Sequence, residues 1–311
     1  MTKVYKSAHS LVASLKSLPS AIFHGDCLNL LKKLPDESVD LTVTSPPYFI
    51  GKEYERFGPI EDFELLHARV LPEVWRVTKQ GGSICWQTGY HVKESAVLPL
   101  DYYVFQELRQ LPGIRLRNRI IWTFGHGFHA SNRFSGRHET MLWFTKGENF
   151  TFDLDAVRVQ QKYPGKRHYK GPNKGEYSGN PLGKNPSDVW DFPNVNANHV
   201  EKTIHPCQFP VALAERMIKS VTKPGDLVFD PFTGASSTGV AAIRNGRRFV
   251  GCELVDEYVR TSVTRLTAAV DGTVQVRPLE AELFEPDPRS AVARAPEHFT
   301  LHQQHEESVL E

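Results

Sequence analysis

The stretch from Leu227 to Val270 constrains the fold more than any other part of the chain. Leu227–Asp230 reads as a short apolar strand, 236–245 as a helix, 249–253 as a second strand and Asp256–Val270 as a second helix. A β-α-β-α series of this kind builds a sheet with helices on its faces and ligands at the carboxyl ends of its strands. The first strand-to-helix turn is Asp230-Pro231-Phe232-Thr233-Gly234-Ala235-Ser236-Ser237-Thr238-Gly239. Glycine allows close backbone approach to a ligand, and a helix N-terminus offers N–H groups. Glu253 ends the next strand, 19 residues after Gly234. That spacing suits a ribose diol donating two hydrogen bonds to one carboxylate.

The turn narrows the choice of ligand. A phosphate-gripping loop needs Gly-Lys-Ser/Thr, and here Val240 follows Gly239. A dinucleotide fingerprint reads GxGxxG, and this turn reads GxxxxG. Asp230 repels a pyrophosphate but can receive an ammonium, which favours S-adenosylmethionine. Taken alone, the segment also fits a tight strand-to-helix turn with no ligand.

A second segment, Thr44-Ser45-Pro46-Pro47-Tyr48, follows the β-branched run Val39–Thr44, which reads as a buried strand. Two prolines fix φ and remove two N–H donors. What remains is a stiff loop of acceptors (the Ser45 hydroxyl and the Pro46 carbonyl) beside the Tyr48 ring. Acceptors suit a substrate that donates, such as an exocyclic –NH₂, whose lone pair is otherwise delocalised into its ring. Tyr48 can stack on a base, an interaction worth roughly 1–3 kcal/mol. Alone, this loop also reads as a proline-rich turn with a core tyrosine. Lys52, Glu53 and Tyr54 follow closely and either order the loop or form a solvated turn.

Further helices are expected over 61–79, kinked at Pro72 and stopped at Gly81-Gly82, over 100–111 and over 207–221. Further strands are expected over 83–87, 119–123 and 139–144. Of 311 residues, 40% are hydrophobic and 11% aromatic, enough for a packed core. No apolar run approaches the ~18 residues of a membrane span. Lys16 interrupts the N-terminal apolar stretch, so no secretory leader is expected. The four cysteines are widely spaced, which argues against a zinc site or disulfide scaffold and fits a reducing cytoplasm. The formal charge of +1 hides two opposed segments. Residues 156–187 carry seven Lys/Arg against Glu176, whereas 280–311 carry eight acids against Arg289 and Arg294. On its own the basic stretch reads as a solvated surface insertion.

Together these residues resemble an amino-methylating DNA methyltransferase of the β class, over roughly residues 22–270. The (S/D/N)PP(Y/F) motif matches Ser45-Pro46-Pro47-Tyr48, and the cofactor turn matches Asp230-Pro231-Phe232-Thr233-Gly234. The ribose-binding acid matches Glu253, followed by Leu254. Gly25-Asp26-Cys27-Leu28 matches GDxL, whose acid contacts the adenine end of the cofactor. His205 to Pro210 matches HPxQFP, with Phe209 near the cofactor, and Arg137-His138-Glu139 matches an Arg-His-Glu element.

The resemblance implies an α/β, Rossmann-like S-adenosylmethionine-dependent methyltransferase fold in circularly permuted motif order. An N-terminal extension (1–21) precedes the catalytic half (22–150). A small target-recognition insertion (151–198), the cofactor-binding half (199–275) and an acidic tail (276–311) follow. S-adenosyl-L-methionine is the implied cofactor, held by Asp26, Cys27, Phe209, Asp230, Pro231, Phe232, Thr233, Gly234, Ser236, Ser237, Glu253 and Leu254, with no metal. Double-stranded DNA is the implied partner, met by Lys162, Lys166, Arg167, Lys170, Lys174, Arg133 and Arg137. A homodimer and a cognate restriction endonuclease are also implied, in the cytoplasm and away from membrane. Serine at the first motif position resembles the N4-cytosine members, with N6-adenine methylation as the alternative. Intact Ser45, Tyr48, Asp230 and Glu253 oppose a third reading, an inactive DNA-binding relative. Pro206-Cys207-Gln208 spells the nucleophile motif of C5-cytosine enzymes, but it precedes Asp230 and lies at a helix start, so Cys207 is not expected to react.

Overall fold

The structure is a computed structural model that describes residues 2–49, 58–93, 96–125, 127, 129–163 and 165–281. The chain begins with β1 (Lys3–Tyr5), α1 (Ala8–Ser14), β2 (Ser20–His24), α2 (Cys27–Leu31), β3 (Val39–Thr44), α3 (Ile60–Val77) and β4 (Thr78–Thr88). An antiparallel pair, β5 (Tyr90–Lys93) and β6 (Ala96–Pro99), leads to α4 (Leu100–Leu108), β7 (Ile114–Thr123) and β8 (His138–Lys146). After a 3-10 turn at Asp155–Val157 come β9 (Val189–Asp191), α5 (Val211–Val221), β10 (Leu227–Asp230), α6 (Ser237–Arg244), β11 (Arg248–Glu253) and α7 (Asp256–Val270).

The main sheet runs β1-β2-β11-β10-β3-β4-β8-β7-β9. Neighbours from β1 to β4 in that order are parallel. β8 is antiparallel to both β4 and β7, and β9 is parallel to β7. From β10 the chain winds outward through α6 to β11. From β3 it winds the other way through α3 to β4. The two central strands therefore leave a crevice at their carboxyl ends, the place where open α/β sheets bind ligands.

Both faces of the sheet are apolar, and the strand period of two divides them. Leu227, Phe229, Ile84 and Trp86 point to one core with Leu28 and Leu31 of α2, Phe63 and Val74 of α3, and Val104 of α4. Val228, Leu41, Val43 and Cys85 point to the other with Leu213 and Ile218 of α5, Val240 of α6 and Leu266 of α7. Among the described residues no helix is long and apolar enough to cross a membrane.

Several expected boundaries move. The helix beginning at Ile60 continues through Pro72 but ends at Val77, before the glycine pair. Thr78 Oγ1 donates to Val74 O at 2.6 Å, and the chain enters β4 at once. Gly81 sits inside β4 at φ 78°, where a Cβ would collide with the Asn149 carbonyl, next to a register shift between Val39 and Leu41. The glycines thus shape an irregular strand and do not stop the helix. Helix α5 starts at Val211 after Pro210, so Cys207 lies in the preceding loop. Residues 1–21, read as an extension, supply the edge strand β1, α1 and the start of β2. Val276 and Leu279, read as the start of the acidic tail, pack on the second core. Residues 282–311 lie outside the described residues.

Candidate active site

β10 ends at Asp230, and the turn after it needs two left-handed residues. Gly234 has φ 49° and Ser236 has φ 57°. A Cβ on Gly234 would lie 3.0 Å from His205 Nε2, so glycine answers both the conformation and the space. The Phe232 N–H donates to Asp230 Oδ1 (3.0 Å), that of Thr233 to Cys252 O (2.9 Å), that of Gly234 to Glu253 Oε2 (2.9 Å) and that of Ser236 to Thr233 O (2.7 Å). Ser236 Oγ lies 3.0 Å from Thr233 Oγ1, and Pro231 and Ser237 are buried. Helix α7 grips the other side of the turn: Ser262 Oγ donates to Gly234 O at 2.6 Å, and Arg265 Nη1 donates to Ala235 O. Burial lowers Arg265 to about 10.

These amides were expected to face the ligand. They are satisfied within the protein, which makes the turn a poor cradle for phosphate. Acceptors remain. Glu253 receives Leu254 N–H and Val255 N–H on Oε1, each at 2.8 Å, and Gly234 N–H on Oε2. Three of a carboxylate's four acceptor sites are used, which leaves one for a ribose hydroxyl where the spacing had suggested two. Burial raises the pKa of Glu253. A cationic ligand beside such a desolvated carboxylate relieves that cost, so the site fits a sulfonium-bearing nucleoside better than a polyphosphate.

Asp230 departs from its expected role as an ammonium receiver. It is 1% exposed, and Oδ1 accepts from Thr44 Oγ1 at 2.6 Å as well as from Phe232 N–H. Burial pushes its pKa up to about 6. The carboxylate clamps the end of β10 to the end of β3, two strands joined across 186 residues of chain. Thr238 Oγ1 adds a second tie, to Val43 O at 3.2 Å.

That clamp sets the Ser45-Pro46-Pro47-Tyr48 loop against the glycine turn. Pro46 is buried, while Ser45, Pro47 and Tyr48 are half-buried. The Tyr48 hydroxyl donates to Gln87 Oε1 at 3.2 Å and lies 3.3 Å from Ser45 Oγ. Gln87 Nε2 in turn donates to Glu139 Oε2. Phe49 closes the loop at φ 57°. Lys52, Glu53 and Tyr54 lie outside the described residues. Behind the loop, the rings of Phe232 and Trp86 meet edge to face at 6.1 Å. Trp86 Nε1 donates to His67 Nε2 at 3.1 Å, and His67 Nδ1 lies 2.7 Å from Phe63 O. Burial lowers His67 to about 4, so the ring is neutral, with its proton on Nδ1.

The remaining predicted residues are distributed as follows. Asp26 is exposed and caps α2 by accepting Leu28 N–H at 2.8 Å, and Gly25 N–H donates to Glu253 O, which holds Asp26 beside the end of β11. Cys27 is buried, and burial pushes its thiol up to about 12, so it offers wall and no chemistry. Phe209 packs half-buried on the second core, and Leu254 is exposed. Arg133 and Arg137 sit between β7 and β8. The register Thr88↔Thr140 brings the start of β8, and with it Arg137, to the edge where Gln87 and Thr88 end β4. Arg137 Nη1 donates to Gly136 O at 2.8 Å. A cleft of about 300 Å³ lined by Gly89, Arg133, Phe134 and Glu139 opens there. Lys162, Lys166, Arg167, Lys170 and Lys174 are all exposed on the segment that leads into β9, four strands from β3. Short bridges, Val159↔Lys184 and Arg167↔Tyr177, order that segment, with the Arg167 guanidinium 4.1 Å from the Tyr177 ring centre.

The sequence reading missed Gln87, Trp86, His67, Ser262 and Arg265, and it gave Glu139 no role. The available signal for Gln87 was a polar side chain directly after the apolar run Ile84-Cys85-Trp86.

An α/β sheet with a glycine turn, a buried acid at a strand end and an acceptor loop at its switch point has the architecture of an S-adenosylmethionine-dependent methyltransferase. Residues 39–264 match the DNA methylase family, and the chain belongs to it. It is 47% identical over 254 residues to the type II methyltransferase M.BglII of Bacillus subtilis, spanning 80% of this chain and 69% of that one. It is 36% identical over 255 residues to the DNA adenine methyltransferase YhdJ of Escherichia coli K12, spanning 80% and 83%. TTHA0409 of Thermus thermophilus, a structure complexed with S-adenosyl-L-methionine, superposes with a TM-score of 0.57 at 28% identity, covering 81% of this chain and 96% of that one. The cytosine-N4-specific PvuII DNA methyltransferase shares the fold, with a TM-score of 0.63 at 22% identity over 81% and 92%.

Proposed function

We propose that the protein transfers a methyl group from S-adenosyl-L-methionine to the exocyclic N4 amine of cytosine at a specific site in duplex DNA. One observation carries the reading: the Thr44–Asp230 clamp fixes an acceptor-rich, donor-poor loop against the cofactor turn. When bound, the cofactor supplies an electrophilic methyl group. Glu253 holds its ribose, Asp26 its adenine end, and Phe232 with Trp86 behind it walls the crevice. The target amine is paired inside the duplex, so the base has to leave the stack. We place it in the cleft beside Tyr48, with the Tyr48 ring against its face and Arg133 and Arg137 on the neighbouring phosphates. Ser45 Oγ and the Pro46 carbonyl accept the amine hydrogens and turn the nitrogen lone pair toward the methyl group. As the nitrogen–carbon bond forms the methyl–sulfur bond would break, and the surplus amine proton is lost to solvent after transfer. Catalysis is then chiefly positioning and exclusion of water. The exposed Lys162, Lys166, Arg167, Lys170 and Lys174 hold the duplex, and a homodimer and an endonuclease acting on the same site belong to this reading.

Cytosine is favoured by Ser45, the residue of the N4-cytosine members at this motif position. N6-adenine is the second reading, favoured by the 36% identity to an enzyme named for adenine. Expression in a methylation-free host, followed by modification-sensitive sequencing and nucleoside mass spectrometry, separates them. N4-methylcytosine at one sequence context is expected. N6-methyladenine would move the assignment to the second reading, and the absence of both modified bases would refute the proposal.

A further inference from the structure

Three strands contribute to one chain of hydrogen bonds that ends on the reacting loop. It runs from Glu139 on β8 to Gln87 on β4, then to Tyr48 and Ser45 after β3. Its direction follows from its first member. Gln87 Nε2 donates to Glu139 Oε2, so Gln87 presents its –NH₂ to Glu139 and its carbonyl to Tyr48. That carbonyl can only accept, so Tyr48 gives it its one proton. The phenol oxygen then shows Ser45 only lone pairs, and the Ser45 proton points at Tyr48. Ser45 Oγ is left as an acceptor. Gln87 is 1% exposed, and flipping its amide would set its carbonyl oxygen against the Glu139 carboxylate, two acceptors with no proton between them.

We propose that Gln87 and Glu139 are positioning residues that fix the polarity of Ser45, so that the loop receives a base amine and turns away a base carbonyl. This rests on the amine-methylation reading above. A freely rotating serine would satisfy either group, or water, and would not hold the amine in one orientation. The Tyr48 hydroxyl thereby has a role separate from that of its ring. The ring stacks on the base, and the hydroxyl relays the direction set by Glu139.

Tyr48→Phe, Gln87→Leu and the double variant test this. For each, kcat, KM for DNA and cofactor affinity by calorimetry are measured, and the product base is identified by mass spectrometry. Tyr48→Phe keeps the ring, so KM and cofactor affinity should stay within about twofold of wild type. kcat should fall about 10- to 100-fold, the scale of a misoriented reacting group. Gln87→Leu should do the same, and the double variant should be no slower than the slower single one, because both cut one wire. Tyr48→Phe at full kcat, or single effects that multiply in the double variant, would overturn the inference while an N-methylated product leaves the function standing. A wild-type product that is not an N-methylated base would overturn both. Tyr48→Phe removes one half-buried hydroxyl and tests the inference by itself should Gln87→Leu not fold.

Discussion

Replacing Asp230 by asparagine separates the clamp from a ligand-binding charge. Asparagine has the same shape, and its carbonyl can still accept from Thr44 and from the Phe232 amide. The carboxyl group of Asp230 has its pKa raised by burial from 3.8 to about 6, so the native state holds its proton more tightly than the unfolded chain does. The stability that this proton contributes is fully present below pH 3.8 and is lost as the pH rises through about 6. At 1.36 kcal/mol per pH unit the loss amounts to about 3 kcal/mol. His67 and His205, both lowered by burial to about 4, impose the opposite slope. They are neutral when native and take up protons on unfolding, so their contribution is present above 6.5 and lost as the pH falls toward 4. That slope is common to wild type and Asp230→Asn and cancels in the difference. Urea unfolding of both proteins across this pH range should therefore show wild type losing up to about 3 kcal/mol relative to Asp230→Asn, in a single step. A flat difference, or one of opposite sign, would refute the reasoning. Cofactor affinity of Asp230→Asn should stay within a few-fold of wild type. A large loss of affinity without a pH-dependent stability change would return the carboxylate to the ligand.

Other expectations follow from the same contacts. Glu253→Gln sets an –NH₂ against backbone N–H groups and removes a charged acceptor. Cofactor affinity by calorimetry should fall about 10- to 100-fold, corresponding to roughly 1.5–3 kcal/mol, and an unchanged Kd would show that the ribose is held elsewhere. Lys166→Ala with Arg167→Ala should weaken DNA binding and lower the slope of log affinity against log salt by roughly 0.9 per lost phosphate contact. An unchanged slope would take this segment off the duplex. Cys207→Ser should leave methyl transfer intact, and a variant that binds cofactor but transfers nothing would make the thiol a nucleophile.

The local patterns were legible in the sequence. Strand and helix alternation over 227–270 predicted elements that the structure reproduces to within one residue, because alternation and helical period report directly on which face is buried. The Ser45 loop, the glycine turn and Glu253 were legible for a similar reason, since proline, glycine and an acid at a strand end each limit the local backbone or its chemistry. Short elements such as β1, α2 and β9 were not, because three to five residues carry too little period to distinguish them from loop.

Partnership was decided only in three dimensions. Nothing in the spacing pairs Thr44 with Asp230, and their meeting turned an expected ligand contact into a clamp. Arg265 holds the glycine turn from 30 residues away, and Gln87 meets Glu139 across 52. A side chain's neighbours follow from strand order and register, and its charge state follows from burial, so these contacts and the direction of the bonds ending at Ser45 exist only once the sheet has formed. The sequence by itself determined which chemical groups are present and the local turns that display them. The tertiary structure decided which groups face one another and in what protonation state.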